Sequence, residues 1–289
     1  MGNFDGVHLG HRAVIETARR AAPAPLGIVT FEPHPREFFQ PDSPPFRLMN
    51  AESRANRLAR LGVEQLYELR FDAVLAGLTP EDFARDVLAE GLGVVHVAVG
   101  ADFTFGRKRA GNAQTLVELG RALGFGVTIA PLAGDGQTEY SSTAIRRALA
   151  EGRMRDAQRM LGHWHRIDGE VLHGDKRGRD LGYPTANMSM AGLLLPRLGV
   201  YAVLIDVLTG PERGSYKGVA NLGVRPMFGQ NRPNLESHIF DFRGDLYGQH
   251  LSVALVEWLR PEMRFDSLDE LVAQMDRDSA RAREILAAR

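Results

Sequence analysis

Apolar positions along the first 160 or so residues follow two rhythms. Short, continuously apolar runs such as LGIVTF (26–31) and VVHVAV (94–99) read as strands covered on both faces. Residues 65–69 and 127–130 read as further strands. Between them, apolar residues recur at helical spacing over 12–21, 51–61 and 114–123. A helix from Pro80 to Gly91 is the most fully punctuated. Thr79 stands at its cap, Pro80 at its first position, Glu81 and Asp82 at its positive end, and Gly91 at its stop. Ser142 or Thr143 opens the last helix of this half, which ends near Gly152. A Pro-rich loop is expected over 33–45. Strands alternating with helices imply an α/β, Rossmann-like domain with a parallel sheet.

From about Arg166 the rhythm changes to strand after strand, over 200–208, 215–221, 235–242 and 250–259. Turn chemistry separates them, as in Thr209-Gly210-Pro211 and Arg243-Gly244-Asp245. Such a run predicts an antiparallel barrel or sandwich. Ser267-Leu268-Asp269-Glu270 is a capping-box pattern that opens a closing helix. The change of pattern, after a helical connector from Met154, places domains at 1–162 and 163–289.

Composition narrows the function. With 44% hydrophobic and 25% charged residues the chain is ordinary globular protein. No apolar run approaches the roughly 18 residues a membrane span needs. Cysteine is absent, which excludes disulfides, thiolate nucleophiles and thiolate metal sites. A net charge of -1 is not that of a general nucleic-acid binder. A cytoplasmic enzyme acting on small molecules is expected, with oligomeric state open. His163, His165 and His173 read as structural or surface groups.

The candidate chemistry begins at GNFDGVHLGH (2–11). His8 and His11 flank Gly10 at the head of a helix, whose free N–H groups and positive dipole end favour an anion. Gly10 would let a polyphosphate approach the backbone. A capped helix with two surface histidines is the competing reading of the same residues. Ser142, Thr143 and Arg146, in SSTAIRRAL (141–149), head a second helix, where hydroxyls and N–H groups would again face an anion. A plain N-cap describes them equally.

With FEPHPREFF (31–39) and VGADFTFGRKRAGN (99–112), these segments resemble the FMN adenylyltransferase module of bacterial bifunctional riboflavin kinase/FAD synthetases. The resemblance implies that His8 and His11 bind ATP phosphates and act in nucleotidyl transfer. It implies that Ser142, Thr143 and Arg146 hold the pyrophosphate end. Asp102, Phe103 and Asn112 would help form the flavin site, and Asp5 would approach the reacting phosphate or its metal.

In the second half, GEVLHGDKRGRDLGYPTANM (169–188) is a strand followed by a loop rich in glycine and basic residues. Gly174, Lys176 and Arg177 are candidate phosphate ligands there. Thr185 and Asn187, two apart in an extended segment, project hard oxygen donors to one face, which suits magnesium carried in with ATP. Glu236, His238 and Phe240 share a strand face, and a carboxylate facing a cavity there could take the proton of an attacking hydroxyl. An exposed strand carboxylate is the alternative for Glu236. GYPTAN, GVYAV (199–203), GVANLGVRPMF (218–228), ESHIFDFRGDLYG (236–248) and LRPEMRFDSLDELVAQMDRD (259–278) together resemble riboflavin kinase over nearly the whole half. The resemblance implies a six-stranded barrel with a C-terminal helix. It also implies Thr185 and Asn187 as magnesium ligands, Glu236 as catalytic base, and Arg260 and Phe265 in the region that covers the flavin.

Both activities are therefore expected: riboflavin plus ATP to FMN, then FMN plus ATP to FAD with pyrophosphate release. A kinase whose first domain only binds nucleotide or flavin, and a non-enzymatic flavin carrier, are the alternatives. One feature departs from the resemblance. Family members carry a segment with a strand before the histidine motif, and here Met1 directly precedes it. A late start assignment, a trimmed chain and a genuinely short form are the three explanations. The first strand of the sheet is expected to be missing, leaving unpaired backbone groups. FAD synthesis is expected to be impaired, with the kinase half unaffected.

Overall fold

The computed structural model describes residues 1–131, 133–134, 140–173, 181–227 and 230–287, with the backbone alone for 225–227 and 230–232. The chain divides into two compact units, Met1–Pro44 with Arg54–Ser141, and Pro45–Ser53 with Ser142–Arg289.

In the first unit, β1 (Gly27–Glu32) pairs in parallel with β2 (Gln65–Arg70), and β3 (His96–Gly100) with β6 (Gly126–Ala130). A short hairpin of β4 (Thr104–Phe105) and β5 (Gly111–Asn112) lies between β3 and β6 in sequence. Helices α1 (Leu9–Ala21) and α6 (Ala113–Leu123) pack on the strands, and α3 (Ala51–Arg60) precedes β2. Phe83, Leu88, Val97, Val99, Leu116 and Phe125 form one core where helical and strand faces meet. Thr79 caps as expected, its hydroxyl accepting from the Asp82 N–H at 3.1 Å. After α5 (Pro80–Asp82) the helix widens into a π-helical stretch, Phe83–Gly91.

Among the described residues no ladder joins β1 to β3. The opening residues meet both: the Gly2 N–H donates to Val29 O at 3.1 Å, and the Met1 amino group to Ala98 O at 3.0 Å. The loop expected over 33–45 contains a short helix, α2 (Pro35–Phe39). His34 caps it, with Glu37 reaching back in a capping box that the prolines obscure in sequence. The turn α4 (Ala73–Gly77), capped by Asp72, is likewise an element with too little periodicity to read.

In the second unit, α7 (Ser142–Ala150) and α8 (Met154–Leu161) lead into a six-stranded antiparallel sheet. Its strands are β7 (Arg166–Glu170), β8 (Ala186–Ser189), β9 (Gly199–Val207), β10 (Gly214–Met227), β11 (Gln230–Ile239) and β12 (His250–Arg260), in the order β7-β12-β9-β10-β11-β8. The two ends approach where Leu172 N–H donates to Asn187 O at 2.8 Å, so the sheet nearly closes on itself. Closure removes strand edges. The final helix α9 (Leu268–Ala287) lays Ala282 and Leu286 on Val200, Ala202, Val219 and Val256 of the wall. This explains why β9 is apolar at almost every position: its two faces are both covered. Ser267 caps α9 through the Glu270 N–H at 3.2 Å, while the Glu270 carboxylate receives the N–H of Asp266. No helix among the described residues is long and apolar enough to cross a membrane.

His165 is buried at the head of β7 and its imidazole is pushed down to about 3, first by burial and then by His163. Its folded value lies below the ordinary 6.5, so unfolding takes up a proton at pH values between them. Folded-state stability is therefore full above pH 6.5 and falls as pH drops below it, by about 1.4 kcal/mol per pH unit for one such group. Denaturant unfolding of the second unit at pH 5 and 6.5 is expected to show this slope, and His165→Phe to flatten it.

Candidate active sites

The first centre is built by a strained turn. Phe4 and Val7 are buried and hold φ of 50° and 41°, and Val7 N–H closes the turn on Phe4 O at 3.2 Å. A β-branched residue rarely adopts positive φ, and burial of both side chains holds it there. The turn delivers buried Asp5 and His8 to the head of α1. His8 is the N-cap: its Nδ1 accepts from the His11 N–H at 3.3 Å, and its carbonyl from Arg12 N–H at 3.0 Å. With Nδ1 used as an acceptor, a neutral His8 carries its proton on Nε2. The His8 and His11 rings stack, with centroids 3.7 Å apart and planes at 23°, and Phe4 packs on His11. Burial, with the neighbouring His8 and amino terminus, holds His11 well below its ordinary value and therefore neutral. Among the described residues the buried Nδ1 of His11 has no hydrogen-bond partner.

The sequence reading takes Gly10 as room for a phosphate. The nearer reason is steric: a Cβ there would lie 2.9 Å from His8 Cε1 and 3.0 Å from Tyr140 O. Glycine at 10 is what lets the His8 ring lie back over the helix start.

The expected flavin residues of this unit surround the β4–β5 hairpin. Phe103 stacks on Phe105, with centroids 5.6 Å apart, and Asp102 is exposed in the turn before β4. Asn112 is the N-cap of α6, its Oδ1 accepting from Thr115 N–H at 2.9 Å within a capping box. Sequence reasoning passed over Arg54. Its buried guanidinium binds Glu32 at 2.8 Å and also Glu68, tying α3 to the ends of β1 and β2.

In the second unit, Ser142 and Thr143 open α7, and Arg146 sits one turn in. Arg146 Nε donates to Phe46 O at 2.8 Å, and its guanidinium lies over the Phe46 ring at 5.2 Å. Gly174, Lys176 and Arg177 lie outside the described residues.

The second centre lies on the barrel wall. Register places Glu236 of β11 beside Asn187 of β8 on one side and Asn221 of β10 on the other. Buried Asn234, which sequence reasoning missed, joins two of these groups. Its Nδ2 donates to Asn187 Oδ1 at 2.8 Å and to Glu236 Oε1 at 3.4 Å. Asn187 Nδ2 in turn donates to Thr185 O at 3.4 Å. The side-chain oxygens of Thr185 and Asn187 are hard donors, and among the described residues no group of three or more His, Asp and Glu gathers. Two neutral oxygens fit magnesium that completes its shell with water and nucleotide phosphates.

Alongside opens a cavity of about 540 Å³ between β11 and α9, lined in part by Tyr183, His238, Phe240, Asp276 and Arg283. His238 Nδ1 is 3.0 Å from Pro184 O, Tyr183 donates to Asp276, and Asp241 grips Arg283 through two hydrogen bonds of 2.7 and 2.9 Å. Arg283 also lies 4.2 Å over the Phe240 ring. Arg260 is gripped likewise by Asp278, at 2.7 to 3.1 Å, and lies 5.9 Å from the Phe265 ring.

The FAD synthetase family matches residues 1–144 and the riboflavin kinase family residues 161–286. The chain is 42% identical to the bifunctional riboflavin kinase/FMN adenylyltransferase of Escherichia coli K12, over 98% of its own length and 91% of that protein's. The enzymes of the same description from Pseudomonas fluorescens and Bacillus subtilis are 42% and 37% identical, over 99% and 98% of this chain and 92% and 90% of theirs. The chain belongs to the bifunctional riboflavin kinase/FMN adenylyltransferase family. A crystal structure of a Streptococcus pneumoniae protein described as a macrolide-efflux protein is also similar. It superposes with a TM-score of 0.84 at 33% identity, covering 96% of this chain and 90% of that one.

Asn112 is a helix cap by geometry, and the sequence resemblance makes it an expected flavin contact. Asn112→Ala is expected to lower the unfolding free energy of the first unit by about 1 kcal/mol. FMN affinity, measured by flavin fluorescence, separates the two roles: an unchanged value leaves the cap as the whole role.

Proposed function

We propose that the chain converts riboflavin to FMN in its barrel unit and FMN to FAD through the histidine motif of its first unit, with the division of labour near residue 162. The observation that carries this reading is that each half has its own centre suited to phosphate chemistry. One is His8 at the head of α1, and the other is Glu236 set in register beside Asn187. A kinase-only reading is not favoured, because both families match along the chain.

In the kinase step Glu236 accepts the proton of the riboflavin 5′-hydroxyl while that oxygen attacks the γ-phosphorus of ATP. The bond to the bridging oxygen breaks and ADP leaves. Thr185 and Asn187 hold magnesium, which when bound neutralises charge on the phosphates. The cavity beside β11, with its aromatic walls and the Arg283 cation, takes a planar ring system of the substrates. Gly174, Lys176 and Arg177 bind phosphate, and Arg260 and Phe265 help cover the flavin.

In the adenylyl step a phosphate oxygen of FMN attacks the α-phosphorus of ATP and pyrophosphate leaves. His8, protonated on Nε2 through its cap bond, donates to phosphate oxygens, and neutral His11 buttresses its ring. Ser142, Thr143 and Arg146 bind the pyrophosphate, and Asp102 and Phe103 contact the flavin. The partners are these small molecules, and the cytoplasm is where they would be met.

Chromatographic separation of flavins after incubation with ATP and magnesium tests both halves. Riboflavin is expected to yield FMN and FAD. Glu236→Gln is expected to lower FMN formation about 10²–10⁴-fold, the usual contribution of a general base, while FAD still forms from added FMN. His8→Ala is expected to do the reverse. No turnover at all would favour the carrier.

A further inference from the structure

The second centre contains a group that neither the motif nor the resemblance assigns. Asn234 lies on β11 two residues before Glu236, so both side chains leave the strand on the same face. It is 4% exposed, and a buried amide stays in place by satisfying its hydrogen bonds. Its nitrogen has two protons to give. They meet Asn187 Oδ1 at 2.8 Å and Glu236 Oε1 at 3.4 Å.

This pattern settles a choice that Asn187 cannot make alone. A carboxamide has nearly the same shape when turned by 180°, which exchanges its acceptor for a donor. A donor from Asn234 on one side, and the Thr185 carbonyl accepting from Asn187 Nδ2 at 3.4 Å on the other, select one orientation. In it, Oδ1 spends one lone pair on Asn234 and keeps the second for a cation. The same nitrogen steadies one oxygen of the Glu236 carboxylate.

We propose that Asn234 is a positioning residue for riboflavin phosphorylation. It locks the cation-holding amide of Asn187 and the carboxylate of Glu236 in one arrangement through a shared donor. The proposal rests on the kinase reading of this centre. Partners that orient metal ligands typically contribute about 10–100-fold in metal affinity when removed. The amide nitrogen is the active part, so an apolar side chain of similar size fails and a longer carboxamide restores the donor.

The test measures manganese binding in the presence of ADP by electron paramagnetic resonance, without turnover, alongside kinase kinetics. Asn234→Leu is expected to weaken manganese binding at least about 10-fold and to lower kcat with the KM for riboflavin unchanged. Asn234→Gln is expected to recover most of both. If the leucine variant does not fold, Asn234→Ser, which is small enough for the same space, is compared with the glutamine variant instead. A folded leucine or serine variant with unaltered manganese affinity and kcat overturns the proposal. So does a glutamine variant as weak as the leucine variant, which would make the role one of packing. Asn187→Ala and Glu236→Gln serve as controls. If the first keeps its manganese affinity or the second its rate, the reading of the centre fails and the proposal falls with it. If both controls lose function while Asn234 variants do not, the reading stands and the proposal alone fails.

Discussion

The pairing of β8 with β11 is the constraint on which the second centre rests. In their register Asn187 faces Glu236 and Asn234 faces Ser189. Side chains alternate across a strand, so a slip of one residue would turn Glu236 into the core and bring Leu235 out. The core prevents the slip. Leu235, Ser237 and Ile239 are buried on one face of β11, while Glu236 and His238 stand on the other. Apolar burial on one side of a strand thus places an amide, a carboxylate and an imidazole on the other.

The first unit reaches its arrangement by a different physical route. No sheet register places His8. A turn with Phe4 and Val7 at positive φ does, and the stability of the surrounding core keeps it strained. The His8 ring then serves the helix as its cap, and that bond selects which ring nitrogen bears the proton. One side chain satisfies the helix terminus and leaves Nε2 as a donor, so under the role proposed for it a substitution there would affect folding of α1 and adenylyl transfer together.

Strong local signals made much of this legible. Thr79-Pro80-Glu81-Asp82 announces a helix start, and the nearly continuous apolar run of β9 announces a strand. Glu236 sits where alternation puts it. The short helix Pro35–Phe39 was hidden because its cap is a histidine and its first residue a proline inside a Pro-rich stretch. Gly10 has a second, steric reason that the sequence did not show, since only the folded ring of His8 reveals what its missing Cβ would strike. Asn112 lies in a recognisable motif, yet its cap bond to Thr115 is local and was readable as asparagine before a helix. Asn234 carried no signal at all, because its partners are 47 residues away and two residues along.

Arg260 shows how a residue in a family motif can also act through the fold. Its guanidinium is committed to Asp278 by three hydrogen bonds, and Gln274 donates to the same carboxylate at 2.9 Å. Both partners are largely buried, at 15% and 9% side-chain exposure, so removing one would strand a charge in the other. The pair fastens the end of β12 to the middle of α9. That helix also carries Asp276 and Arg283, which line the cavity beside Glu236. Loss of Arg260 would therefore reach the cavity through the seating of α9, even where no flavin atom touches the guanidinium. The geometry of the cavity and the anchoring of the last helix are, in this sense, a single property of the fold.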